Sequence, residues 1–155
     1  MGQGVKITHT RLLKIDDAGP VSKMGYKALV ENGLLGVDYD ESSFYTQIKR
    51  GLVSPFWQGS IGLCEDDQLI GFAFIHYNAL PWAPRQKVAT LQYYYIESGH
   101  VNNSNTVRLF DAIEDWCKEN DITGLRISNK NIDINSLYKL GFNEEEKIFY
   151  KEYDL

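Results

Sequence analysis

The chain has 155 residues, of which 16 are Lys or Arg and 21 are Asp or Glu, giving a formal net charge of −5. With 43 % hydrophobic and 13 % aromatic residues it has the composition of a folded globular protein and not of a disordered one. The acidic balance argues against nucleic acid as the main partner, because phosphate binding relies on a basic footprint, and no apolar stretch approaches the ~20 residues of a membrane span.

In chain order the pattern predicts β-α-α-β-β-β-α-β-α-β within one domain over residues 1–155. Residues 5–13 alternate loosely and form a first strand. Gly19-Pro20 opens a helix that carries Val21, Met24, Ala28 and Leu29 on one face and stops at Asn32-Gly33. A second helix covers residues 40–50, capped by Asp40 or Ser42 and ended by Lys49-Arg50-Gly51. Residues 57–64 and 68–77 read as strands joined through Glu65-Asp66-Asp67. Phe72, Phe74 and His76 face one way there, and Ala73, Ile75 and Tyr77 the other.

Pro81 and Pro84 predict a loop over residues 78–86. A third strand of the meander follows at 87–97, with Leu91, Tyr93 and Tyr95 opposite Gln92, Tyr94 and Ile96. The strongest helix runs over 105–120, where Leu109, Ala112, Ile113, Trp116 and Cys117 make one apolar stripe. A strand at 123–128, a short helix at 133–140 and a closing strand at 147–153 complete the order. Cys64 and Cys117 lack CxxC spacing and His9, His76 and His100 are scattered, so no metal site is expected. Two reduced, buried thiols and a cytoplasmic location are the simplest reading.

The junction from Tyr95 to Thr106 links a central strand to the N-terminus of the longest helix. Such an end offers free N–H groups and the positive pole of the helix dipole to an anion such as a pyrophosphate. The alternative is a plain helix start capped by Ser104.

Near the C-terminus, Asn131, then Leu137-Tyr138 and Leu140-Gly141-Phe142, placed between two strands, resembles the closing motif of the GNAT superfamily of N-acetyltransferases. The likeness extends back into the junction, with Ile96, Ser98, Val101, Ser104, Thr106 and Leu109-Phe110 on the family's motif positions. Val101 stands where the family has Arg or Gln, and Ser104 and Thr106 stand on its two glycines. Those substitutions keep the loop amides available if the local φ values are negative.

The resemblance implies an α/β (α+β) fold. Its mixed sheet has about six or seven strands, mostly antiparallel with a splayed central parallel pair, and about four flanking helices. It implies acetyl-CoA as co-substrate, held along Tyr95 and Ile96, by the loop Val101, Asn102, Asn103, Ser104, Asn105 and Thr106, and by Arg108 and Asn131. Tyr138 is then the candidate general acid and Glu97 the candidate base. Register leaves a choice: counting from Asn131 selects Tyr138, and counting back from Gly141-Phe142 selects Leu137. The implied activity is acetyl transfer to a primary amine of a protein or small molecule. The alternative function is a catalytically weak or inactive member of the same fold that acts as a protein-binding or inhibitory module; the expected partners are acetyl-CoA and an amine acceptor, with a protein partner or a homodimer as further options.

Overall fold

The computed structural model describes residues 5–31, 39–53, 59–127, 132–145, 151 and 153. Within these the order is β1 (Thr8–Leu12), a 3-10 turn (Ile15–Asp17), α1 (Ala18–Glu31), α2 (Glu41–Val53), β2 (Gly59–Glu65), β3 (Gln68–Leu80), β4 (Ala83–Ile96), a second 3-10 turn (Ser98–His100), α3 (Asn103–Glu119), β5 (Gly124–Ile127) and α4 (Ile134–Lys139). The strands form one sheet in the order β1-β2-β3-β4-β5. The first three pairings are antiparallel and β4 with β5 is parallel. Five strands are therefore seen among the described residues where six or seven are expected. The expected closing strand falls largely outside those residues.

Both faces of the central strands are apolar because each is covered by helices. Ile61, Leu63, Ala73, Ile75, Tyr94 and Ile96 pack against Leu109, Phe110, Ile113 and Cys117 of α3 and Leu137 of α4. On the opposite face Phe72, Phe74 and Tyr95 pack against Ala18, Val21, Met24 and Ile48. This is a three-layer α/β/α sandwich. The expected faces of β3 hold, with Phe72 and Phe74 on one side and Ala73 and Ile75 on the other.

Four expectations change. Leu91 lies on the same face as Tyr94 and Ile96, not with Tyr93 and Tyr95. The cause is a bulge: Phe74 pairs with Tyr93 and Ile75 with Leu91, so Gln92 is an extra residue that inverts the alternation. Residues 78–86 are not a loop. β3 continues to Leu80, the chain turns through Pro81-Trp82, and β4 begins at Ala83. The prolines are accommodated by the turn and by a second register shift at Ala79/Leu80, which leaves Pro84 out of the ladder. Gly51 does not end α2, which runs on to Val53 with Gly51 buried. Finally, α3 starts at Asn103, two residues before the expected Asn105.

Candidate functional site

The parallel ladder runs from Val88↔Gly124 to Leu91↔Ile127. Among the described residues its last pair lies beside the Gln92 bulge. A bulge bends its strand and increases the local twist, and residues 93–96 beyond it stay paired to β3 as far as Gly71↔Ile96. Among the described residues this stretch of β4 has no strand on its β5 side. Asn131 lies outside the described residues.

This edge of β4 leads into the start of α3. Tyr95 and Ile96 are both buried, with Tyr95 on the α1 face and Ile96 on the α3 face, so their main chain is the part presented along the edge. The Tyr95 hydroxyl donates to Glu31 Oε1 at 3.2 Å. Burial, and then the Glu31 charge, push the Tyr95 phenol upward. Glu97 caps the second 3-10 turn, where its carbonyl accepts from the His100 amide. Its carboxylate lies 3.5 Å from Lys27 Nζ on α1 and 4.0 Å from His100 Nε2. His100 Nδ1 is 3.4 Å from Glu65. A row of polar groups, Lys27, Glu97, His100 and Glu65, thus crosses the end of β4.

The cap of α3 is Asn102 and not Ser104. The Asn102 side chain accepts from the Asn105 amide at 2.8 Å, and its carbonyl accepts from the Thr106 amide at 3.0 Å. Asn105 is buried and its own side chain donates to the His100 carbonyl at 2.7 Å, binding the 3-10 turn to the helix. The Asn103 and Ser104 amides, first in the helix, have no acceptor among the described residues. Both side chains are exposed, as are those of Val101 and Arg108. Among the described residues the positive-φ positions are Asp66, Asp121 and Gly141, none of them in this junction. Ser104 and Thr106 can therefore replace glycines without backbone strain.

The Thr106 side chain is hydrogen-bonded with the Tyr94 hydroxyl, whose ring stacks 5.3 Å from Phe110. Burial pushes this phenol up to about 12. Tyr94 is the residue that sequence reasoning undervalued. Asn105, expected in the cofactor loop, is instead buried with its side chain bonded within the junction, and the Asn102/Asn105 spacing of three, a cap with its N3 partner, is the signal for that structural task.

Further along the chain, α4 ends in a Schellman motif. The Phe142 amide donates to the Leu137 carbonyl at 3.0 Å and the Gly141 amide to the Tyr138 carbonyl at 3.1 Å, with Gly141 at φ 90°. This pins Leu137 and Phe142 inward, where Phe142 meets Phe110 at 5.9 Å. The next residue, Tyr138, is turned outward and is 50 % exposed. Leu137 thus holds the buried position and Tyr138 the accessible one.

The profile of the acetyltransferase (GNAT) family matches residues 31–142, a span that holds β4, the junction, α3 and the Leu140-Gly141-Phe142 corner. The chain belongs to the GNAT acetyltransferase family. No curated protein sequence matches it. Solved structures share the GNAT fold at low identity. A protein described as a possible acetyltransferase from Clostridium difficile 630 superposes with a TM-score of 0.77 at 18 % identity, covering 96 % of this chain and 99 % of that one. A predicted acetyltransferase from Clostridium acetobutylicum, solved with acetyl-CoA, gives 0.78 at 15 % identity over 94 % and 96 %. An aminoglycoside N-acetyltransferase in complex with CoA gives 0.75 at 13 % identity over the whole of both chains.

Proposed function

We propose that this GNAT member transfers the acetyl group of acetyl-CoA to a primary amine by direct attack on the thioester. The observation that carries the reading is the continuity of the β4 edge at residues 93–96 with the unpaired Asn103 and Ser104 amides of α3. An extended pantetheine matches the first and a pyrophosphate the second. A net charge of −5 is no obstacle, since the donors are main-chain amides at a helix end. Arg108, exposed one turn into α3, adds a cation within reach of a phosphate.

Acetyl-CoA supplies an activated acyl carbon and a thiolate leaving group. The chain supplies position and protons. In this reading Glu97 takes the proton that the acceptor ammonium must lose, exchanging its contact with Lys27 for one with the incoming amine. The Tyr138 hydroxyl, exposed and without a hydrogen-bond partner among the described residues, gives a proton to the departing sulfur. The amine nitrogen forms the new bond to the acyl carbon as the carbon–sulfur bond breaks.

Calorimetry with acetyl-CoA, followed by thiol release across a panel of amines, tests the reading. Saturable binding, and free CoA that appears only when an amine is present, are expected. Absence of binding at about millimolar acetyl-CoA overturns it, and binding with no turnover on any amine leaves the protein-binding alternative in its place.

A further inference from the structure

Among the described residues, β3 and β4 run past their neighbours at the end remote from the junction. The β2–β3 ladder reaches only Gly59↔Ile75, and the β4–β5 ladder begins at Val88↔Gly124. Residues 76–87 therefore form a two-stranded arm that, among the described residues, no other strand flanks. At its tip Trp82 is 81 % exposed, more than any other aromatic side chain among the described residues. The arm carries Arg85 and no carboxylate, and at its base Lys87 Nζ donates to the Asn120 carbonyl at 3.4 Å and lies over the Tyr77 ring.

Beside the base of the arm the surface changes sign. Residues 111–121, the end of α3 and the turn after it, hold Asp111, Glu114, Asp115, Glu119 and Asp121 against Lys118 alone. Between this end of α3, the start of β5 and the Gly141-Phe142 corner lies an open groove of about 320 Å³, with Cys117, Ile122, Leu125 and Phe142 along it and Glu114 at its edge. The Thr123 amide donates to the Lys87 carbonyl at 2.8 Å, so groove and arm base are adjacent. From Lys87 the strand carries Trp82 on the order of 15 Å away. The tip cannot fold back into its own groove, but it can reach that of another molecule.

We propose that this face is a self-association surface: the cationic, Trp82-tipped arm of one copy docks in the groove of a second, and the second returns the contact. Knob and groove lie at one end of the chain, so a two-fold axis satisfies both at once and the assembly closes as a dimer. The sign of the charges fits, with the basic arm meeting the acidic end of α3. Two indoles bury about 300–500 Å², less than the ~1,200 Å² of a stable standard interface. The arm strands must add the remainder, and the dimer is in reversible, concentration-dependent equilibrium.

Sedimentation velocity of the full chain from about 5 to 500 μM, at low salt and in about 0.5 M NaCl, is the first test. A monomer-to-dimer shift that salt weakens is expected. Trp82→Ala, at an exposed position that leaves the thermal midpoint in place, weakens association by about tenfold or more. A second test places a thiol at the knob. In Trp82→Cys combined with Lys118→Cys, at an exposed position on the groove, treated with diamide, which takes up the two thiol hydrogens, an intermolecular disulfide between positions 82 and 118 is expected, mapped by mass spectrometry. Cys64 and Cys117, both buried, are the internal controls. A chain that stays monomeric throughout, a Trp82→Ala variant that associates as well as the parent, or a disulfide joining only two position-82 thiols overturns the proposal. None of these readouts depends on acetyl-CoA, so this inference and the acetyl-transfer reading stand or fall separately.

Discussion

Leu137 and Tyr138 are neighbours in sequence with opposite tasks. Successive helical residues point about 100° apart, and the Schellman bonds from Gly141 and Phe142 decide which of the two faces the core. Leu137→Ala removes a side chain from that core and is expected to lower stability by about 2–4 kcal/mol, read as a shift in the urea midpoint. Tyr138→Phe removes an exposed hydroxyl and should leave that midpoint alone. If Tyr138 is the proton donor, its replacement reduces turnover by about 100-fold with acetyl-CoA affinity unchanged. An undiminished rate would assign the proton to another group. The motif in the sequence left a choice between the two residues for the family's position. Only the hydrogen-bonded corner shows which one is accessible, because Tyr138 is a residue closer to Gly141 than the family's spacing has it.

At the scale of elements, the order of strands and helices was readable because period and punctuation agree: the α3 stripe repeats at helical spacing, and Gly and Pro mark the boundaries. What was not readable has one common cause. A bulge is a local excess of one residue with no side-chain signature, so Gln92 inverted the expected side of Leu91. The prolines of the β3–β4 hairpin likewise suggested a loop, because a register shift that accommodates them leaves no trace in composition. The junction was visible as a strand entering a helix, but its cap was misplaced, since Asn102 and Ser104 are both good caps and only geometry separates them. Opposite Ile96 on β3 stands Gly71, where the two main chains leave no room for a side chain. A Cβ there would lie 2.7 Å from the Tyr95 carbonyl oxygen and 3.3 Å from Ile96 Cα, both main-chain atoms. Gly71→Ala must therefore push β4 outward, with an expected loss of about 1–3 kcal/mol. It should also weaken acetyl-CoA binding in calorimetry by several-fold, because the displaced atoms belong to the proposed pantetheine edge. A variant with normal affinity would place the ligand elsewhere.

At the scale of the whole molecule, the aromatic excess of the composition becomes an electrostatic property. Tyr93, Tyr94 and Tyr95 stand in succession on β4, and burial pushes all three phenols upward. Burial also pushes Tyr39 up to about 12 and Cys117 to about 11, from ordinary values of 10.0 and 9.0. Each is an acid that the folded state holds in its neutral, protonated form. Their stabilising share is complete below the unfolded-state values and is lost as pH rises towards the folded ones. The acid side differs: among the described residues Asp17 is the one buried carboxylate, held low by the Arg11 guanidinium at 2.7 Å, and it acts in the opposite direction as pH falls. Stability should thus decline beyond about pH 9, steepening between about 10 and 12. Tyr94 is the most deeply buried of the perturbed phenols on the α3 side, and its rise from 10.0 to about 12 corresponds to about 2–3 kcal/mol. Tyr94→Phe costs about 1 kcal/mol at neutral pH through the lost Thr106 hydrogen bond, yet removes one of the alkaline titrations. Its urea midpoint is therefore expected to fall less steeply than the parent's between pH 10 and 12, so that the two stability curves converge there. Parallel curves over that interval would show that the Tyr94 phenol is not held neutral by the fold.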